Sequence, residues 1–189
     1  DRSKIKLVKI NRENEYRVKQ CPSIHSENNL NSDLLFDDAR YNALDHGQAV
    51  HKIFENIEWF EELDLSKLET LKTDYPDAFA EVEKCLADQI FIKYLMKPRD
   101  LVQLWRERDF DVVVDGGIIS GIFDRVHLFS DHAEIIDFKS DKIGGGSVKS
   151  HISQLHSYRK ALAKLTGLDD AVITCKLFYT YSREVIEVE

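Results

Sequence analysis

The feature that most constrains the fold is a run of segments rich in Val, Ile and Phe between residues 101 and 138. Turn signals separate these segments at Asp115-Gly116-Gly117 and at Ser130-Asp131. Apolar segments joined by such short turns are typical of strands connected as hairpins. The run therefore predicts strands over Leu101–Phe110, Asp111–Val114, Ile118–Phe129 and Ala133–Phe138.

Segments on either side of this run carry apolar residues at helical spacing. Pro76 suits the first turn of one helix, and Ser150 is the predicted cap of another, after a flexible Gly144–Gly146 loop. Two more strands are predicted over Val172–Tyr181 and Val185–Val188. This order predicts an α/β fold, a mixed central β-sheet with helices on both faces. The predicted helices run from about Tyr41 to Ile57, from Pro76 to before Pro98, and from Ser150 to about Leu165.

The length of 189 residues suits one core, so a single domain is predicted over residues 41–189. Residues 1–40 are predicted to be an N-terminal arm or linker, because residues 11–32 are polar and aperiodic. Within this arm, residues 5–9 suit a short strand. The arm either connects a preceding domain or adds a strand to the sheet. A start at Asp1, without the pattern of a secretory signal, predicts a fragment of a longer chain.

The composition excludes several classes of protein. With 43% apolar residues and no long apolar run, the chain is predicted to be a globular protein without a membrane span. The net charge of -8 argues against a surface that binds nucleic acid everywhere, but allows carboxylates that hold cations at a phosphate. Cys21, Cys85 and Cys175 are too scattered for a disulfide framework or a cysteine metal cluster. We expect free thiols in the cytoplasm.

Polar residues interrupt the apolar strands at one place, in residues 120–126 and 135–140. Strand alternation puts Ile135, Asp137 and Lys139 on one face of their strand. Asp124 lies 13 residues before Asp137, the length of a hairpin that can return its carboxylate beside Asp137. The sequence therefore predicts two carboxylates and an ammonium at one point.

This combination suits metal-assisted hydrolysis of a phosphodiester. Mg²⁺ prefers oxygen ligands, lowers the pKa of a bound water and neutralises charge in the transition state, while a Lys offsets developing negative charge. The alternative interpretation of Asp137 and Lys139 is an ordinary ion pair on an edge strand. Likewise, His51 taken alone, beside Val50 and Phe54, is typical of a hydrogen-bonded core histidine.

Three motifs carry a resemblance to a known family: Gly-Ile-Phe-Asp-Arg-Val at residues 121–126, Ile-Ile-Asp-Phe-Lys-Ser at 135–140, and Gln154-Leu155-x-x-Tyr158. Together they resemble the PD-(D/E)XK nuclease superfamily, specifically the RecB-type (RecB/AddA-like) nuclease domain at the C-terminal end of helicase-nucleases. The resemblance covers about residues 41 to 189 and implies a restriction-endonuclease-like core.

The resemblance also implies a set of metal ligands. In that family an early helix carries a metal-binding His after a Gly, and Gly47-x-x-x-His51 matches this pattern. Carried over residue by residue, the likeness implies that His51, Asp124 and Asp137 bind the metal, joined by the backbone carbonyl of Phe138.

The remaining site residues are implied in the same way. Lys139 is expected to assist the nucleophile, and Gln154 and Tyr158 to support the site or touch the DNA backbone. Glu107 stands where such domains often have an acidic residue on the first strand, and is expected to assist a second metal.

The resemblance implies a Mg²⁺-dependent deoxyribonuclease, an exonuclease in DNA end processing, recombination and repair, in which Mn²⁺ can substitute. The expected partners are single-stranded DNA ends, a helicase domain of the same longer chain and other subunits, but no membrane. No iron–sulfur cluster is expected, because the four-Cys pattern of some relatives is absent.

Two alternatives stay open at this point. One is a non-catalytic module that binds DNA ends and retains the nuclease fold. The other is an unrelated α/β interaction domain in which these acids and Lys139 form structural ion pairs. Arg106, Arg108 and Arg125 suit either phosphate contacts or balance of nearby acids, and we favour the second for at least two of them.

Overall fold

The computed structural model of the chain describes Lys19–Gln20, residues 38–141 and residues 147–189. The predicted strand at residues 5–9 and the predicted Gly144–Gly146 loop lie outside the described residues. The described helices are α1 (Asp38–Glu55), α2 (Glu69–Asp74), α3 (Pro76–Leu86), α4 (Gln89–Leu95) and α5 (Ser147–Thr166). The strands are β1 (Lys19–Gln20), β2 (Gln103–Val114), β3 (Gly117–Leu128), β4 (Ala133–Lys139), β5 (Ile173–Tyr179) and β6 (Glu184–Val188).

The strands form one mixed sheet. β3 pairs antiparallel with β2 along its length, parallel with β1 near its start and antiparallel with β4 near its end. From β4 the sheet continues through β5, which is parallel, to β6, which is antiparallel. A two-residue turn joins β2 to β3, and both its residues have positive φ, Asp115 (50°) and Gly116 (81°). Asp-Gly favours such hairpin turns, because both residues tolerate this conformation.

Helices cover both faces of the sheet. On one face α5 packs its apolar side against β3, β4 and β5, and on the other α1, α3 and α4 pack together against β4 and β5. Each large side chain buried in these cores contributes roughly 2 kcal/mol to folding. The fold is therefore the predicted α/β arrangement. The α5 face includes Phe123, Ile135, Leu155, Leu162 and Leu177, and the α1 face Val50, Phe54, Val82, Ile136 and Phe178.

Three predicted elements differ from the structure in more than their exact bounds. The helix expected from Pro76 to Pro98 is two helices, because Asp88 is extended and its side chain accepts a hydrogen bond from Ile90 N, which starts α4. The two strands expected between residues 101 and 114 are one continuous strand. α5 begins at Ser147, so Ser150 lies inside it and donates to the Ser147 carbonyl.

The structure also bears on the cysteines and on membrane spans. Cys85 and Cys175 are buried free thiols, whereas Cys21 lies outside the described residues. Within the part of the chain that the structure describes, no helix is both long and apolar enough to cross a membrane.

Candidate metal-binding active site

The two predicted carboxylates lie where β3 and β4 stop pairing. The last paired residues at this end are Arg125 and Ile136, so Asp124 and Asp137 occupy the next opposed positions. Both are buried, at 8% and 2% exposure. Asp124 Oδ2 accepts a hydrogen bond from Phe138 N at 2.7 Å, which holds its carboxylate beside β4.

Lys139 lies on the same face as Asp137, as strand alternation predicts. Its Nζ is 2.6 Å from Asp137 Oδ2 and donates to Gln154 Oε1 at 3.2 Å. Gln154 Nε2 in turn donates to the Tyr158 hydroxyl at 3.1 Å, and this hydroxyl also accepts from Ile122 N at 3.4 Å. Because they lie one turn apart on α5, Gln154 and Tyr158 connect the ammonium to the edge of β3.

A second group of side chains forms around His51. His51 Nδ1 lies 3.3 Å from Glu107 Oε1 and 3.4 Å from Asp124 Oδ1. One ligand atom from each of these three residues falls within 4.8 Å of the others. They come from α1, β2 and β3, so this cluster depends on the packing of the helix against the two strands.

Glu107 reaches the cluster because β2 departs from regular strand geometry there. Its φ is +41°, and the β2–β3 pairs run on either side of it, with Arg106 opposite Arg125 and Arg108 opposite Phe123. A positive φ is unfavourable for a residue with a side chain, so this conformation stores strain. Asp124 lies opposite Glu107 in the register of β2 and β3. The break in the pairing of these strands therefore falls at the cluster of His51, Glu107 and Asp124.

The pKa values reflect this packing. Burial alone would lower the pKa of His51, but the charge and hydrogen bond of Asp124, with those of Glu107, raise it well above its ordinary value. Burial would raise the pKa of Asp124, and the charge and hydrogen bond of His51 hold it below the ordinary range. The two groups therefore favour each other's charged form.

The pKa values of Asp137 and Lys139 are both raised. Burial raises the pKa of Asp137 to about 6 even though Lys139 opposes the shift, and the charge of Asp124 adds to it. Burial would lower the pKa of Lys139, but Asp137 and Asp124 raise it above its ordinary value. Lys139 is consequently a stable cation flanked by two carboxylates.

These residues fit a divalent metal ion. Asp137 is buried, and its Oδ2 pairs with the Lys139 ammonium at 2.6 Å. The cluster of His51, Glu107 and Asp124 offers one nitrogen and two carboxylates, ligands that suit a hard or borderline divalent ion.

All these groups open into one cleft of about 640 Å³. Predicted site residues that line it are His51, Glu107, Asp124, Asp137, Lys139, Gln154 and Tyr158. Other lining residues were not predicted from the sequence, namely Leu44, Gln48, Lys52, Glu55, Ile122 and Ser140. Helical spacing could have indicated Gln48 and Glu55, which lie one turn before and after His51 on α1.

The structure also distinguishes structural roles from substrate contact for Tyr158 and the arginines. Tyr158 is 1% exposed, so its position suits support of the site and not contact with a DNA backbone. Arg125 is buried against the carbonyls of Ile57 and Glu58, and Arg106 pairs with Glu58 at 3.2 Å. Structural roles therefore account for these two arginines. The guanidinium of Arg108 lies over the Trp105 ring. The metal roles of Asp137 and of the Phe138 carbonyl stay predictions.

The chain matches one family model along most of its length. The model is that of the PD-(D/E)XK nuclease superfamily, and the match covers residues 18–187, so it includes β1 as well as all the site residues. A comparison with curated proteins finds no match. Because the family match spans nearly the whole chain and the site has the geometry above, the chain belongs to the PD-(D/E)XK nuclease superfamily.

Proposed function

We propose that the chain is a Mg²⁺-dependent deoxyribonuclease domain that hydrolyses phosphodiester bonds at single-stranded DNA ends, as an exonuclease. The observation that carries this proposal is the meeting of two groups in one open cleft. One is the cluster of His51, Glu107 and Asp124, and the other is the Asp137–Lys139 pair.

The residues at this site would have different roles in hydrolysis. His51, Glu107 and Asp124 would hold the divalent ion, with Asp137 lining the same cleft. When bound, such an ion supplies an activated water and neutralises charge on the phosphate. Lys139 stays protonated, so it acts as a fixed positive charge that orients the nucleophile and offsets the charge of the transition state.

The walls of the cleft support a single strand as the substrate. Leu44 is 63% exposed and Ile122 47% exposed, and both line the cleft. Exposed aliphatic side chains cannot bind phosphates, but they can contact the bases and sugars of an unpaired strand. The paired bases of a duplex are less accessible to such contacts.

The RecB-type resemblance of the motifs supports a wider setting for this activity. In it the domain belongs to a cytoplasmic helicase-nuclease, whose motor and other subunits deliver single-stranded ends during recombination and repair. A non-catalytic module that only binds DNA ends is less well supported, because every predicted catalytic side chain is present at the site.

The test is cleavage of end-labelled single-stranded DNA with Mn²⁺ or Mg²⁺ by the wild type, Asp137→Ala and Lys139→Ala. We expect cleavage by the wild type and its loss in both variants. Lys176→Met is the matched control, because Lys176 also forms a buried ion pair with a carboxylate of β4, at 2.5 Å, but on the other face of the sheet. This control should cleave like the wild type.

Absence of cleavage by the wild type would contradict the proposal. Thermal unfolding with and without Mn²⁺ then distinguishes the alternatives. A rise in Tm that His51→Ala abolishes would indicate a metal-binding module without catalysis, whereas no rise would indicate that the cluster binds no metal.

A further inference from the structure

Lys139 is the last residue of β4, and its backbone carbonyl is hydrogen-bonded to a residue of another segment. Its carbonyl accepts a hydrogen bond from Thr180 N at 2.8 Å. Thr180 directly follows β5, so this bond extends the β4–β5 ladder by one residue beyond the end of β5. Strand ends open more easily than strand interiors, so the ammonium of Lys139 needs a further constraint to stay in place.

Thr180 supplies that constraint through its side chain. The residue is completely buried, and its Oγ1 lies 2.5 Å from Glu81 Oε1 and 3.1 Å from the Lys139 carbonyl. A hydroxyl has one proton, and the shorter contact, with Glu81, takes it when Glu81 is ionised. The side chain then anchors Thr180 to Glu81, while its backbone N–H holds Lys139.

Glu81 is in turn held by a helix that lies beside the site. It belongs to α3, is 9% exposed, and its Oε2 lies 2.9 Å from His46 Nε2 on α1. One turn further along α3, Cys85 Sγ donates to the Thr180 carbonyl at 3.3 Å. α3 therefore holds Thr180 at two points, and the same carboxylate contacts α1, the helix that carries His51.

Stability alone is a poor explanation for this arrangement. Burying a carboxylate carries a desolvation cost, and apolar residues of similar volume generally stabilise a core at least as well. The polar network adds a fixed orientation of Thr180, because hydrogen bonds specify the orientation of the groups they join. Through the Thr180 N–H, it also fixes the orientation of the Lys139 carbonyl.

We propose that Thr180, anchored by Glu81, is a positioning residue that fixes the backbone of Lys139 and thereby places its ammonium in the cleft. The inference rests on the proposed nuclease function. It assigns no contact with substrate or metal to Thr180 or Glu81, since both lie behind Lys139 on the side of α3.

The experiment compares Thr180→Val, which removes only the hydroxyl, with Thr180→Ser, which keeps it. Thr174→Val is the matched control, since Thr174 lies on β5 and its hydroxyl donates to a carbonyl at the opposite end of β4, that of Ala133. Cleavage of single-stranded DNA gives kcat and KM, and calorimetric titration with Mn²⁺ gives the metal affinity. We expect Thr180→Val to lower kcat about 10-fold, with KM and Mn²⁺ affinity unchanged, because a displaced catalytic group mainly affects the chemical step.

Thr180→Ser and Thr174→Val should both retain the wild-type kcat. An unchanged kcat in folded Thr180→Val would overturn the proposal, and so would parallel losses in kcat, Mn²⁺ affinity and Tm that Thr180→Ser fails to restore. If Thr180→Val does not fold, Glu81→Gln carries the test, with a kcat reduced about fivefold. A wild type that does not cleave DNA would instead contradict the proposed function itself.

Discussion

Strands β3 and β4 carry buried charged residues on both faces of the sheet, and the two groups differ in what surrounds them. Asp124, Asp137 and Lys139 border an open cleft that is lined by residues of both α1 and α5. The neighbouring positions Arg125 and Glu134 belong to a closed group, which is covered by residues 57–59 after α1 and by Tyr94 of α4. Residue types are similar in the two groups, since each joins carboxylate, histidine and basic side chains. The open group contains Glu107, Asp124, Asp137, His51 and Lys139, and the closed group contains Glu134, His127, Arg125 and Lys176.

The closed group pairs all of its polar atoms that the structure describes. Arg125 donates to the carbonyls of Ile57 and Glu58 and, through Nε, to His127 Nε2 at 3.0 Å. His127 Nδ1 then lies 3.1 Å from Glu134 Oε2, and Lys176 pairs with the other oxygen of Glu134. Because His127 Nε2 accepts, the ring is neutral, in line with a pKa that burial lowers.

The open group has ligand atoms available for a cation. His51, Glu107 and Asp124 each place one ligand atom within 4.8 Å of the others, whereas Asp137 Oδ2 pairs with Lys139 Nζ at 2.6 Å. Buried charges that are fully paired hold a structure together, whereas charges with unused ligand capacity beside a cleft can bind a cation and a substrate. Residue type therefore does not distinguish a structural group from a binding group. Access to a cleft and clustered ligand atoms do.

The largest expected effect comes from Asp124→Asn, which keeps the shape of the side chain but removes its charge. We expect cleavage to fall by about 10³-fold, because the cluster loses a ligand and the site loses an anion. Glu134→Gln makes the same kind of change on the closed face. It should leave the cleavage rate within about threefold of the wild type. The cleavage rates are measured on end-labelled DNA. Equal losses of cleavage in the two variants would show that the open and closed groups do not differ in their role.

Arg125→Met should have the next largest effect, on stability. The substitution keeps the volume but leaves the carbonyls of Ile57 and Glu58 without a donor, which costs about 3 kcal/mol in the free energy of unfolding. Urea unfolding monitored by circular dichroism measures this loss. A variant as stable as the wild type would show that the closed group contributes little to the fold.

A smaller effect is expected from Gly121→Ala. A Cβ at this position would lie 2.6 Å from the Tyr158 hydroxyl and 2.7–2.8 Å from its ring, so Tyr158 must move and take Gln154 with it. We expect about a 10- to 100-fold lower kcat with the fold retained. Gly117→Ala is the matched control on β3, because its Cβ would lie 3.7 Å from the nearest atom, an ordinary contact. Similar kinetics in both alanine variants would exclude a role for the Tyr158–Gln154 link.

The smallest effect concerns pH. Burial alone would raise the pKa of Glu134, but hydrogen bonds from His127 and Lys176 lower it below its ordinary value of 4.5. The folded state therefore binds this proton less readily than the unfolded state. Its contribution to stability is complete above pH 4.5 and is lost as the pH falls through the lowered folded value. The difference in unfolding free energy between the wild type and Glu134→Gln should shrink on acidification, and a difference independent of pH would contradict this role.

Local rules predicted much of the site. Alternation along β4 put Asp137 and Lys139 on one face, and the hairpin length put Asp124 beside Asp137, since both depend only on strand geometry. Helical spacing likewise predicted that Gln154 and Tyr158 share one side of α5. The break at Asp88 was missed, although an Asp before a helical segment is a recognised N-cap signal.

The periodic features follow from the amino-acid sequence alone: the order of strands and helices, the faces of β4 and the spacing of the motifs. Which distant residues meet depends on tertiary packing. Glu107 joins His51 across 56 positions, and Thr180 joins Glu81 across 99. It also decided that Arg125 and Glu134 are enclosed while Asp124 and Asp137 face a cleft. The physical reason is that backbone periodicity fixes the direction of a side chain within its element, whereas burial and partners depend on how separate elements pack.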